Sequence, residues 1–323
     1  MSRDDSILDK PFSRRRVLGY GVAGAGLAAM PWQLSLAAQI EAEAADQAMR
    51  QRAIPATGEK IPVIGMGSSG SFETRDPATQ ADLAEVMKQF VAMGGTLVDT
   101  SPSYGRAETH IGEVARETGV RDELFMATKV RKRDRDAGLA ELNQSFVNLK
   151  TEKIDLLQVH NLVGIEQILP ILREWKQEGR IRYLGVSTSS DRQYPAFIEM
   201  MKKETLDFIQ VDYSMVNRSA ADQILPLAKD RGMGVLINLP YARGRVFERV
   251  GDRVLPDWTS EFDVNSWGQF YLKYILSHPS VTCVIPGTAT IKYLADNLGA
   301  ARGRMPDGAM RKRMEQFFDG LPS

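Results

Sequence analysis

The chain has a single cysteine, Cys283, so it has neither an internal disulfide framework nor a thiolate cage for a metal. Cys283 lies in the apolar run "VTCVIP", where the expected role is a small buried hydrophobe. Histidine is also scarce. His110, His160 and His278 are too scattered to form a metal site by spacing, and the H-E-x-x-H signature is missing. A metal-dependent barrel hydrolase, which needs a His/Asp ligand cluster, is thereby disfavoured. Net charge is absent as well: 41 lysines and arginines balance 41 aspartates and glutamates. Nothing advertises nucleic acid or an acidic membrane surface as the main partner, and any anion recognition must be local.

What is present is an ordinary globular composition over 323 residues, 43% hydrophobic and 25% charged. No Gly/Ser/Pro linker or composition shift divides residues 50–323. After a short hairpin around Thr57-Gly58, eight apolar runs alternate with amphipathic segments of helical length. The runs are expected at Val63 to Met66, Thr96 to Asp99, Leu124 to Val130, Ile154 to Val159, Ile181 to Ser187, Phe208 to Asp212, Gly234 to Leu239 and Val281 to Ile285. The helices are expected at Thr79 to Met93, Ala107 to Glu117, Ala137 to Leu149, Ile165 to Glu178, Arg192 to Lys203, Ala220 to Arg231, Asn265 to Ser277 and Ile291 to Arg302. Leu83, Val86, Met87, Phe90 and Val91 show the i, i+3, i+4, i+7, i+8 spacing in the first of these.

Eight strand-helix units point to an α/β fold, a (β/α)8 TIM barrel with a short N-terminal hairpin and a C-terminal helix at Pro306 to Phe318. A doubly wound sheet is the competing architecture, but its G-x-G-x-x-G turn into a helix is missing. "GMGSSG" follows the first strand without a helix directly behind it. Residues 244–263 form a long loop after the seventh strand, a plausible wall for a substrate pocket.

The first 44 residues read as a leader. Arg14 and Arg15 follow Ser13 and precede a mildly apolar stretch broken by Gly19, Gly21, Gly24 and Gly26, which resembles a twin-arginine (Tat) export signal. Candidate cleavage sites end at Ala37 and Ala44. The expected division is a leader over 1–44 and a barrel over 45–323. The expected address is periplasmic or exported through the Tat machinery, with an uncleaved membrane anchor or a cytoplasmic location as alternatives.

On a barrel, Asp99, Lys129 and His160 end the second, third and fourth strands, and Tyr104 follows the second in its loop. All four fall on the face where a barrel carries its chemistry. A tyrosine has a reference pKa near 10. A nearby buried ammonium is expected to lower it, an aspartate to keep that ammonium charged, and a histidine to orient a carbonyl oxygen.

These residues carry a resemblance. Residues 52–318 resemble aldo-keto reductases through "TGEKIPVIGMGS", "VDTSPSYG", "ATKV", "DLLQVHN", "EGRIRYLGVSTS", "FIQVDYSMVNR", "PYARGRVF" and "VIPGTATIKYLADN", in that order. The resemblance implies reduction of an aldehyde or ketone, a small-molecule carbonyl, by hydride from NADPH, with NADH possible. It implies Tyr104 as general acid, Lys129 tuning it, Asp99 supporting the lysine and His160 orienting the carbonyl. It further implies that Ser187 and Gln210 hold the nicotinamide carboxamide and that Gly244, Gly287 and Thr288 approach the phosphates. Asn297 corresponds to an adenine-side asparagine.

The chain departs from the family pattern in several places. Thr188 replaces a common asparagine, and Asn238 stands where many members pack an aromatic residue against the nicotinamide. Gly287 and Tyr293 replace a lysine and an arginine that grip the 2′-phosphate; Lys292, with Arg243 or Arg245, would supply that charge. Phe72 and Trp258 are expected to wall an apolar substrate pocket. The competing functional reading is a non-catalytic barrel that retains the cofactor, a possibility that the channel-associated branch of the same superfamily implies.

Overall fold

A computed structural model describes residues 48–322, so the leader read over residues 1–44 lies outside the described residues. The described chain builds an eight-stranded, all-parallel sheet. Its strands are β3 (Met66–Gly67), β4 (Leu97–Asp99), β5 (Phe125–Val130), β6 (Ile154–Val159), β7 (Ile181–Ser187), β8 (Phe208–Asp212), β9 (Gly234–Asn238) and β10 (Cys283–Val284), each beside its sequence neighbour. The sheet closes on itself. Parallel bridges join Ile64 to Val284 and Gly67 to Gly287, and the Gly65 and Val284 amides donate across the seam at 2.8 and 2.9 Å. The chain is a (β/α)8 barrel.

The glycines of "GMGSSG" serve this seam. A Cβ on Gly65 would meet Leu97 O at 2.8 Å, and one on Gly67 would meet Ile285 O at 2.8 Å. Close backbone approach, rather than a phosphate turn, explains those two positions.

Alternation along each strand sends every second side chain into the barrel. Leu97, Phe125, Ala127, Leu156, Tyr183, Phe208, Leu236, Cys283 and Ile285 form one fully packed inner cluster. Cys283 is 0% exposed there, and burial pushes its thiol up, as befits a small core residue. The hairpin β1 (Gln51–Ala53) and β2 (Lys60–Pro62) adds Ile54 and Ile61 to the same cluster and closes the N-terminal end. Tyr183 fastens it, sharing a hydrogen bond of 2.8 Å with the Thr57 hydroxyl and donating to Glu59 at 2.5 Å.

The helices are α1 (Pro77–Ala92), α2 (Ala107–Thr118), α3 (Arg135–Asn148), α4 (Ile165–Gln177), α5 (Tyr194–Lys203), α6 (Ile224–Asp230), α7 (Arg245–Val250), α8 (Trp267–Leu276), α9 (Ile291–Gly299) and α10 (Gly308–Asp319). Helix α4 shows the common logic: Ile168, Leu169, Ile171, Leu172 and Trp175 line one buried stripe. Each such side chain contributes about 1.5–3 kcal/mol by leaving water. Side-chain caps set the starts of several helices: Asp76 accepts from Thr79 N, Asp134 from Ala137 N, Ser266 from Gln269 N and Asp307 from Met310 N.

The 244–263 segment differs from the loop expected there. It contains α7 and a 3-10 turn over Asp257–Phe262.

Candidate active site

At the C-terminal ends of the strands, the inward series changes from apolar to polar. On β5, Phe125 and Ala127 are followed by Lys129; on β6, Leu156 by Gln158 and then His160; on β8, Phe208 by Gln210. Lys129, His160 and Gln210 line a cleft of about 570 Å³ with Asp99, Tyr104, Ser187, Asn238, Gly244 and Gly287. A second lobe of about 580 Å³ shares Tyr241, Phe247 and Gly287 with it and adds Thr288, Asp296 and Asn297.

Lys129 is 1% exposed, and its Nζ donates to Asp99 Oδ2 at 2.6 Å and to Thr100 O at 2.9 Å. That leaves one N–H, and the ammonium lies 5.3 Å from the Tyr104 ring centroid. Burial works against the Lys129 charge, but Asp99 and Tyr104 outweigh it and hold its pKa above the ordinary value. Burial in turn pushes Asp99 up, opposed by the attraction of Lys129. At 2.6 Å in a water-poor site we assign the pair as ionised, and removing either partner would cost about 3–5 kcal/mol.

The Gln158 and Gln210 amides complete the shell around Asp99. Gln158 Nε2 donates to Gln210 Oε1 at 2.9 Å, and both amides approach the Asp99 carboxylate at 3.5 Å.

The Tyr104 phenol is held above its ordinary pKa, the reverse of the lowering expected from the sequence. Burial is the largest cause and exceeds the opposing pull of Lys129, because Asp99 cancels much of that ammonium's field. His160, 8% exposed, stands edge-on to Tyr104 with ring centroids 5.9 Å apart. Burial, with Lys129 and Arg131 adding repulsion, lowers its pKa to about 3, so the imidazole is neutral at physiological pH. Its Nδ1 sits 3.2 Å from Ser101 Oγ and 3.4 Å from Ser103 Oγ. The cluster therefore combines a protonated phenol, a neutral imidazole and a fixed ammonium-carboxylate pair around one opening. It can donate a proton to an oxygen anchored there.

The remaining expected residues are placed as follows. Ser187, Gln210, Gly244 and Gly287 line the main lobe; Gly287, Thr288 and Asn297 line the second. Asn297 accepts a 2.5 Å hydrogen bond from Tyr241. Lys292 is exposed and lines neither lobe, and Arg245 Nε donates to Ala242 O. Arg243 lines the main lobe.

Asn238 bears on whether a nicotinamide dinucleotide fits. Its Nδ2 donates to Thr188 O at 3.0 Å, while its Oδ1 is buried without a partner at the rim that also carries Ser187 and Gln210. An orphaned acceptor beside a hydroxyl and an amide suits a ligand bearing an amide N–H. Tyr241 and Phe247, ring centroids 5.0 Å apart, supply aromatic surface on that side where the strand end itself has none. These residues fit the group.

Phe72 and Trp258 do not wall the cleft. Phe72 is 0% exposed and packs on the His110 ring, and Trp258 packs against Phe262, Phe270 and Phe317 under the Arg313 guanidinium. Phe72 is a core residue and Trp258 a half-buried one packed against the core, so the apolar wall expected for a substrate is absent at those positions. Gln158, Tyr241, Phe247 and Arg131 were not singled out from the sequence. For Gln158 the signal was there: a glutamine between Leu156 and His160 in the inward series. Among the described residues, no group of three His, Cys, Asp or Glu side chains is arranged to hold a metal ion.

A closed parallel barrel with Asp, Tyr, Lys and His side chains converging at its C-terminal mouth defines an oxidoreductase-type barrel. The chain belongs to the aldo/keto reductase family, whose model matches residues 63–313. It is 31% identical over 212 residues to the aldo-keto reductase YhdN of Bacillus subtilis, an alignment covering 61% of this chain and 63% of that protein. Among solved structures it is similar to a thermostable aldo-keto reductase in complex with the inhibitor epalrestat, at TM-score 0.68 and 26% identity, covering 83% of this chain and 99% of that one. It also shares the fold of an aldo-keto reductase from Klebsiella pneumoniae in complex with NADPH, at TM-score 0.68 and 21% identity, covering 84% and 96%.

Proposed function

We propose that the protein reduces an aldehyde or ketone to an alcohol, with NADPH as the hydride donor and NADH as the second choice. The observation that carries this reading is the convergence of Tyr104, His160 and the 2.6 Å Lys129–Asp99 pair on one cleft. Ser187, Gln210 and the orphaned Asn238 acceptor would hold the carboxamide end of the cofactor. Gly244, Gly287, Thr288 and Asn297 would follow its length, with Arg243 supplying positive charge for its phosphates. When bound, the reduced nicotinamide supplies hydride to the carbonyl carbon.

The protein's own residues handle the oxygen. Ser101 Oγ accepts from Ser103 N at 3.2 Å, and we assign its hydroxyl as the donor to His160 Nδ1. The imidazole proton then resides on Nε2, where it donates to the carbonyl oxygen and orients it. Tyr104 transfers its phenolic proton to the same oxygen as negative charge builds there. Lys129, kept charged by Asp99, stabilises the phenolate left behind. A retained but idle cofactor barrel would not need this phenol, ammonium and carboxylate to stay together.

The assay is direct: the purified protein with NADPH, then NADH, and a panel of aldehydes and ketones, following cofactor absorbance. Carbonyl-dependent oxidation of the cofactor is expected. Cofactor binding without turnover across the panel would favour the non-catalytic reading. We further propose export by the twin-arginine route, supported by Arg14 and Arg15 in the leader.

A further inference from the structure

The inward alternation of β5 does not stop at Lys129. Two residues on, just past the strand end, Arg131 lines the same cleft. Its backbone N–H is pinned by Glu141 Oε2 at 2.7 Å, which fixes where the side chain departs. The carboxylate of Glu141 is itself paired with Lys132 at 3.2 Å, and the Arg131 guanidinium forms no ion pair with any described residue. Within the cleft the one acidic side chain is Asp99, held at 2.6 Å by Lys129. The lining thus carries positive charge in excess, from Arg131 and Arg243.

Barrel order says which ligand that charge faces. The residues assigned to the cofactor sit on β7 through β10, the sector that also holds Arg243. Arg131 ends β5, beside His160 and opposite that sector, and its field is felt at the imidazole. In the β3 to β6 half of the mouth the wall is polar: Ser69, Ser103 and Asn161 line the opening there, with no large aliphatic side chain among them. With neither Phe72 nor Trp258 lining the cleft, this half of it offers hydrogen bonds and a positive charge rather than an apolar slot.

We propose that Arg131 is a specificity-determining residue that selects carbonyl substrates bearing a carboxylate. The guanidinium binds the carboxylate through two parallel N–H···O bonds while His160 and Tyr104 hold the carbonyl oxygen. The assignment rests on the reductase reading above.

Two measurements separate the two. In turnover, succinic and glutaric semialdehydes are compared with butanal and pentanal for wild type, Arg131→Gln and Arg131→Lys. Wild type is expected to favour the acids. Arg131→Gln is expected to lower kcat/KM for them by about 10- to 100-fold, leaving the alkanals within about threefold. Arg131→Lys is expected to recover part of the loss, since it keeps a point charge without the fork.

In binding, calorimetry with the cofactor-loaded protein compares butanoate with butanamide, and only butanoate affinity is expected to fall in Arg131→Gln. Equal loss on acids and alkanals, or no preference of wild type for butanoate over butanamide, would overturn the proposal. Arg131-dependent butanoate binding with no carbonyl turnover would retain the anion site and reject the reductase reading.

Discussion

At the scale of single residues, the decisive quantity is where each proton resides at neutral pH. In the proposed reduction Tyr104 acts as the protonated phenol, and burial raises its pKa, which widens the pH range over which the donor is loaded. His160 acts there as the neutral ring, its pKa lowered by burial to about 3. The expected profile of kcat/KM for reduction is therefore flat from about pH 5 to about pH 9, falling as the phenol ionises at higher pH. A rise through about pH 6.5 that vanishes in His160→Gln would show instead that the imidazole titrates near its ordinary value. Asp99, Lys129 and His160 were legible in the sequence because each lies at a strand end, where alternation fixes its face, and Tyr104 because it follows Asp99 in the short loop at that same end. Phe72 and Trp258 were not, because an aromatic residue near a strand end serves core and pocket equally well by pattern. Contacts with His110 in one case and with α8 and α10 in the other decide it.

At the scale of elements, strand positions follow the expected runs closely, because eight buried parallel strands leave continuous apolar signals between turns. Helix starts coincide with those expected at Ala107, Ile165 and Ile291 and differ by two to four residues elsewhere. Helices α1 and α3 begin at Pro77 and Arg135 rather than Thr79 and Ala137, because Asp76 and Asp134 cap them ahead of the apolar periodicity. The six-residue α7 is too short to show a helical period, yet it brings Phe247 to the cleft. Glycine sets how closely some elements approach. A Cβ on Gly112 of α2 would meet Asn148 O at 2.3 Å and the Leu149 carbonyl carbon at 2.7 Å, atoms of backbone that cannot turn aside. Gly112→Ala is expected to destabilise the fold by about 1–3 kcal/mol, read as a lower midpoint in urea unfolding. An unchanged midpoint would mean that the α2–α3 crossing is looser than the structure has it.

At the scale of the whole molecule, the proposed export of a cofactor-binding barrel poses a question of order. A dinucleotide cofactor belongs to the cytoplasm, whereas the twin-arginine route carries folded proteins. We therefore expect the chain to fold around its cofactor before export. Fractionated cells should show the mature protein in the periplasm with dinucleotide bound, and replacing Arg14 and Arg15 by lysine should retain it in the cytoplasm. Periplasmic protein without dinucleotide, and unable to rebind it, would contradict that order.

The proposed chemistry turns on one proton. Tyr104→Phe removes the phenolic hydroxyl while keeping the ring that stands edge-on to His160 at 5.9 Å. With NADPH and a reducible carbonyl, the variant is expected to lose about 10²- to 10⁴-fold in kcat with cofactor affinity within about twofold of wild type. Equal rates in wild type and Tyr104→Phe would contradict the mechanism.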